Sequence, residues 1–405
     1  MNSEKSLYPR IRTDSSRIAA AVVKSRRRFH QYPETGNQEF KTTARLKKEF
    51  AKLGLRVYDG FSPTGLWAEL DTGRPGPVIA VRTDIDALPI TERSRVPFAS
   101  RIPGRMHACG HDAHMAIMLG TARLLCRYKS GLPGRVKFIC QPAEEVPPGG
   151  AQILIKAGVL TNPRVDAIVA LHVDPALPVG SIGLRDGMNM ASVYDFDLKI
   201  TGRPGHAALP HNGVDGITVA AEVVSGLQQI VSRMVDPISS AVISFGTIKG
   251  GDVRNTLATE VVLEGTARSI DPALMRRIPQ LIRRTAVNIA RGFGAEAEVR
   301  SIAAYPGLEA DPRVNRFIAD SCAALYPKGR VHEIPVVLGG EDFARYLQTT
   351  PGSMFRLGVR NGKIGADKPW HHPEFMIDEA ALPVGVAVMT ATVVDLLRHW
   401  KDKAR

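Results

Sequence analysis

Short apolar runs rich in β-branched residues punctuate the first half of the chain. Val78–Val81, Val136–Cys140 and Ala167–Leu171 are bounded by Gly, Pro and charged residues, which predicts buried strands. Between them lie stretches whose apolar positions recur at helical spacing, such as Ala113–Tyr128 and Ala151–Ala157. Strand–helix alternation predicts a mostly parallel sheet with helices on both faces. Each run ends in polar residues: Arg82-Thr83-Asp84-Ile85-Asp86, Gln141-Pro142-Ala143-Glu144-Glu145, and His172. Ligands of such sheets bind beyond the carboxyl ends of the strands.

The rhythm changes near Gly187. A strand (Val193–Thr201), a helix (Val214–Met234), two strands (Ala241–Ile248 and Glu260–Ile270), a second helix (Pro272–Phe293) and a strand (Ala295–Ala303) spell βαββαβ, the split ferredoxin-like unit. Asp271-Pro272 opens the second helix, and Lys249–Asp252 breaks a strand pair. Alternation then resumes, with a helix at Glu341–Leu347, a strand at Met354–Val359 and a closing amphipathic helix at Ala380–Trp400. The expected architecture is an α/β domain from residues 1–187 and 305–405, with an α+β domain inserted at 188–304.

Composition narrows the class. The 405 residues, 44% of them hydrophobic, are ordinary for a globular chain, and the net charge is +13. The charge is spread, apart from Arg26-Arg27-Arg28 and a stripe on one helix (Arg276, Arg277, Arg283, Arg284, Arg291) that reads as a solvated face. No nucleic-acid motif accompanies it, so no nucleic-acid partner is expected. Four cysteines are too few for a disulfide scaffold. The apolar stretch Ile18–Val23 is too short for a signal peptide, and no run reads as long enough to cross a bilayer. The expectation is a soluble, cytoplasmic protein.

The densest chemistry is Met106–His114, with three histidines, a cysteine and an aspartate on a Gly-containing turn before a helix. Imidazole and thiolate are the usual ligands of zinc and similar divalent ions. Glu144 and Glu145 are adjacent, so one can hold a metal while the other faces water; on their own they would read as an exposed acidic loop. His172 ends a strand, and His371-His372-Pro373 lies far downstream. Cys126, Cys140 and Cys322 read as packing residues.

Together these stretches resemble the M20 metallopeptidases, in the amidohydrolase branch that includes hippurate hydrolases, N-acyl-amino-acid deacylases and auxin-conjugate hydrolases. The matching motifs run in order: RRFHQYPETG (27–36), RTDIDALP (82–89), MHACGHDAHM (106–115), QPAEE (141–145), Leu171-His172-Val173, GHAALPH (205–211), RNTL (254–257), GTARSID (265–271), GGEDF (339–343) and HHPEF (371–375). The resemblance implies two divalent ions (zinc, manganese, nickel or cobalt) held by Cys109, His111, Glu145, His172 and His371. His371 is preferred to His372 by alignment. Glu144 matches the general base, and Asp86 an acid that orients a ligand. His206, Asn255 and Arg268 match substrate-binding positions of the inserted domain, which in the family serves as lid and dimerisation domain. Where many members carry His-x-Asp, this chain has Asp84-Ile85-Asp86. The implied activity is metal-dependent hydrolysis of the amide of a small N-acyl amino acid by a homodimer. A di-metal dipeptidase of the same fold is the alternative.

Overall fold

The computed structural model describes residues 7–326 and 329–403. The chain forms two compact units. One takes the chain up to Gly187, then Glu309–Pro335, then the chain from Arg345 onward; the other takes Met188–Leu308 and Val336–Ala344. The inserted unit thus ends four residues later than 304 and also claims a short downstream segment that the sequence reading gave to the first unit.

In the first unit eight strands form one sheet, in the order Arg56–Tyr58, Leu66–Asp71, Arg135–Gln141, Val78–Asp84, Ala167–Pro178, Gly352–Arg360, Ile182–Leu184, Val331–Glu333. The four central strands are mutually parallel; the pairings that flank them are antiparallel, and the edge pair Ile182–Leu184 with Val331–Glu333 is again parallel. The expected α/β fold is therefore present. Val78–Asp84 is buried at every position, which is why its sequence shows a continuous apolar run rather than alternation. The chain moves from this strand to Arg135–Gln141 on one side and then to Ala167–Pro178 on the other. A crevice opens at such a reversal.

The last helix, Ala381–Lys403, departs from expectation twice. It is not amphipathic, since nearly all its residues through Trp400 are buried. Its stretch Ala381–Lys401 has a mean hydropathy of 1.6, long and apolar enough to cross a membrane by length and composition, contrary to the sequence reading. With 89% of that window buried inside the protein, it is a core helix. It packs on helices Leu7–Arg17, His111–Tyr128 and Pro312–Leu325.

The second unit is a four-stranded antiparallel sheet, ordered Glu296–Tyr305, Ser192–Thr201, Glu260–Ser269, Ala241–Gly250. In chain order that is 4-1-3-2, the ferredoxin-like arrangement. Helices Gly216–Gln229 and Pro272–Gly292 pack on it around a core of their own. Asp271 caps the second helix, its carboxylate accepting from the N–H groups of Ala273 (2.8 Å) and Leu274 (3.3 Å), ahead of Pro272 at the first position.

Candidate metal centre

Four loops and strands of the first unit deliver the donor groups. Gly110 turns the chain with φ +90° and lets helix His111–Tyr128 begin at once. A Cβ there would lie 2.3 Å from Val173, so only glycine fits. Cys109 and His111 flank this turn. Glu144 and Glu145 follow Ala143, a non-glycine residue at φ +50°; His371 itself adopts φ +64°. Such backbones cost about 1–2 kcal/mol and need support. Ala143 has it: its N–H donates to the buried Glu39 carboxylate at 2.7 Å, which also accepts from Thr64 Oγ1 at 2.8 Å. The His371 N–H donates to the Ala108 carbonyl at 2.9 Å.

The imidazoles are oriented by their second nitrogens. His111 Nδ1–H donates to the Asp86 carbonyl at 2.9 Å, and His172 Nδ1–H to the Val173 carbonyl at 2.8 Å. In both rings Nε2 faces inward: it is a lone pair on neutral His172, and on His111 it carries a proton that a divalent cation would displace. Nε2 of His172 is 3.4 Å from Cys109 Sγ. Nε2 of His111 is buried without a hydrogen bond, 3.8 Å from Glu145 Oε1, and that oxygen is 3.3 Å from His371 Nε2. Trp370 packs edge-on against His172 and donates to the Val173 carbonyl at 2.9 Å.

Two triads of donor atoms result, Cys109/His111/His172 and Cys109/Glu145/His371, each with its atoms within 4.8 Å of one another. They share Cys109. Glu144 joins His111 and Glu145 in a third group of the same size. The five residues expected as ligands are therefore gathered, and His371, not His372, points into the cluster. His372 turns to its own backbone, accepting from the Glu374 N–H at 3.1 Å. Asp86 grips two neighbours: one oxygen accepts from the Glu145 N–H at 2.9 Å, and the other lies 3.3 Å from His111 Nδ1.

Electrostatics tell the same story. Burial alone would lower the pKa of His111, but Asp84, Asp86 and Glu145 outweigh it and hold it up at about 10. Burial, then Glu145, Glu144 and Asp84, push the Cys109 thiol well above its usual range. Burial, with His114 and Arg356 beside it, keeps His172 neutral. Negative charge is thus crowded around soft and imidazole donors. Thiol, inward Nε2 atoms and carboxylates form a donor set that suits one or two divalent cations of the zinc type.

Three further residues shape the site without having been assigned from sequence. Asp84 is fully buried and accepts from Arg82 Nη1 at 2.9 Å. His114 accepts the Val173 N–H on Nε2 at 2.9 Å, so its Nδ1–H donates to Asp84 at 2.7 Å. It therefore braces Asp84 against the end of the His172 strand. Glu39, raised to about 7 by burial and by Asp86, holds the turn before the glutamates. His107 stays apart: buried, with neither ring nitrogen hydrogen-bonded, and pushed down by burial to about 3.

The remaining expected site residues lie in the second unit. The Ala207 N–H donates to the Asn255 carbonyl, so His206 and Asn255 sit on paired, exposed loops. His206 Nδ1 accepts from the Ala208 N–H at 3.0 Å. Arg268 is at the other end of strand Glu260–Ser269, roughly 25 Å along it at ~3.3 Å per residue. Its Nη1 donates to the Leu338 carbonyl at 2.7 Å. Within one copy of this unit, Asn255 and Arg268 cannot grip the same small group.

Residues 80–395 match the model of peptidase family M20/M25/M40. The chain belongs to that family. It is 40% identical over 382 residues to the N-acetylcysteine deacetylase of Bacillus subtilis, covering 94% of this chain and 98% of that one. It is 37% identical over 369 residues to the N-acetyldiaminopimelate deacetylase of Priestia megaterium, covering 91% and 96%. Among solved structures it resembles the Bacillus subtilis YXEP protein, described as a dinuclear metal binding peptidase from the M20 family. The TM-score is 0.81 at 35% identity, over 95% of this chain and 99% of that one. This M20 chain is accordingly an enzyme of the amidohydrolase type, with a mostly parallel α/β unit and a separate sheet unit.

Proposed function

We propose that the protein hydrolyses the amide bond of small N-acyl amino acids, releasing a carboxylic acid and an amino acid, with two divalent cations (zinc, manganese, nickel or cobalt) held by Cys109, His111, Glu145, His172 and His371. The observation that carries this reading is the pair of donor triads sharing Cys109, with Glu144 beside them. Divalent cations at such a site supply Lewis acidity toward a carbonyl oxygen and lower the pKa of water.

This chain's own residues do the rest. Glu144 takes the proton from the attacking water and returns it to the leaving nitrogen as the C–N bond breaks, so the carboxylate ends as it began. Asp86 fixes the His111 ring and the Glu145 backbone. His206 and Asn255 act together on the substrate's carbonyl or carboxylate end, while Arg268 serves through the Leu338 segment it already holds, or through its remaining donors. The second unit acts as lid and dimerisation domain in a cytoplasmic homodimer. The deacetylases that resemble the chain support acylated amino acids as the substrate class over free dipeptides.

Glu144→Gln tests the reading. Turnover of N-acetyl or N-benzoyl amino acids is expected to fall by about a thousandfold or more, since the general base is lost, with metal content by elemental analysis unchanged. Retained turnover shows the base to be elsewhere. Faster cleavage of free dipeptides than of acylated amino acids by the wild type turns the assignment toward a dipeptidase.

A further inference from the structure

Helices Ala19–Gln31 and Phe40–Lys52 both pack on helix His111–Tyr128 in the first unit. The three helices line a cavity of about 680 Å³, a volume usual for small-molecule sites, which run to roughly 300–1,000 Å³. Phe29 and Leu119 are its buried apolar residues. Its walls are cationic. One helix contributes Lys24 and Arg28, one turn apart; the next contributes Lys41, Arg45 and Lys48 along a single stripe. Like charges at these spacings repel.

None of these five side chains has an ion pair or a side-chain hydrogen bond among the described residues. Arg45 rests only on the face of Phe29, 5.9 Å from the ring centre. The acid in the cavity, Glu49, is already engaged by Lys52 at 2.6 Å and Arg123 at 3.3 Å. Burial and then the neighbouring Arg28 lower the Arg45 pKa, against the smaller raising pull of Glu49, Tyr32 and Glu34. Concave surfaces lined by one sign of charge concentrate counter-ions. Lys24, Arg28, Lys41 and Lys48 are exposed, as is the arginine stripe of helix Pro272–Gly292, but the cavity cations surround a half-buried Arg45 in a concave wall.

We propose that this cavity binds a small anion carrying several clustered phosphate groups, of the inorganic-polyphosphate type. Arg28 and Arg45 present forked donors that match phosphate oxygens, and the three lysines add point charges. The site is separate from the metal cluster. Leu119 and Arg123 lie roughly 12 and 18 Å along their helix from His111, at 1.5 Å per residue.

Isothermal titration of the metal-loaded full chain with inorganic tripolyphosphate tests this. One equivalent is expected to bind saturably, with Kd weakened about tenfold or more in Arg28→Gln/Arg45→Gln, which removes both forked partners. Arg276→Gln/Arg283→Gln, on the exposed stripe, is expected to leave Kd unchanged. Heat from tripolyphosphate drawing metal off the protein is common to all three proteins and so does not mimic the difference. Ligand-free turnover and melting temperature of the cavity variant are expected to match wild type. Should that variant unfold, Lys24→Gln/Lys48→Gln repeats the test at exposed positions. No saturable binding overturns the proposal, as does equal weakening by both arginine pairs, which marks diffuse attraction. Tighter binding of a DNA duplex than of tripolyphosphate through the same cavity residues also overturns it, in favour of a polynucleotide surface.

Discussion

His111 and Asp112 are consecutive and equally buried, yet they open onto two opposite kinds of polar interior. Asp112 faces a network closed in charge, though its Oδ1 makes no hydrogen bond: Arg26 Nε donates to Oδ2 at 2.7 Å and His30 lies 2.8 Å from the same oxygen, while His30 also meets Glu92 at 3.0 Å and Arg26 meets Glu379 at 3.2 Å. His111 faces carboxylates and a thiol, with its inward nitrogen unbonded. Burial disfavours charge at both places. On the Asp112 side opposite charges on neighbouring helices answer it, whereas on the His111 side acids outnumber cations. Buried polar groups are ordinarily satisfied. The comparison teaches that buried acids left in excess, beside a cluster whose charges are matched, mark where a cation completes the protein.

The largest expected effect comes from opening the closed side. Arg26→Met leaves Asp112 buried with one partner fewer and is expected to cost about 3–5 kcal/mol of stability, the usual penalty for breaking a buried pair. Urea denaturation measures it, and a loss under 1 kcal/mol shows the network to be idle. Next is completion of the open side. Adding zinc or manganese to chelator-stripped protein at a hundredfold above Kd is expected to stabilise it by about 2.7 kcal/mol, read as a rise in melting temperature. His111→Ala is expected to abolish that rise. An equal rise in the variant places the cation elsewhere.

The smallest effect expected is one of pH. Burial would raise the Asp112 pKa, but Arg26, His30 and His107 outweigh it and hold the group far below the ordinary carboxylate range. Folded protein therefore binds fewer protons than unfolded protein below about pH 4, the ordinary aspartate value. This share of stability is complete above that pH and is lost as pH falls through the folded value. His30 runs the other way: its pKa is raised despite burial, by Asp112 and Glu92, so its share is present below about pH 6.5 and is lost as pH rises through its folded value. Urea midpoints of the wild type are expected to fall more steeply below pH 4 than those of Asp112→Asn. Parallel acid limbs in the two proteins assign the acid sensitivity to other groups.

Much of this was legible in the chain. The buried parallel strands announced themselves as continuous β-branched runs, and βαββαβ order was readable because Asp271-Pro272 and the Lys249–Asp252 turn are local signals. The ligand types were visible too, as His, Cys and Glu at strand ends. What stayed hidden depends on long-range packing. No local pattern tells His114, which braces Asp84, from His111, which faces the cluster, because both lie on one helical turn. Glu39 lies 104 residues from the Ala143 N–H that it anchors. The last helix looked one-sided in sequence, yet neighbours cover it all round. Arg268 and Asn255 seemed companions by motif, but a full strand length separates them.

Strand Ala167–Pro178 lies in the middle of the large sheet, and its partner along one edge is Gly352–Arg360. During synthesis the chain emerges from its N-terminus, so the complete βαββαβ unit leaves the ribosome before that partner exists. Until then the long strand offers bare N–H and C=O groups, the kind of edge on which chains aggregate. His371 follows later still. The nascent enzyme must therefore guard an unfinished sheet through the making of an entire second unit, and the donor groups can gather only once that unit has been made.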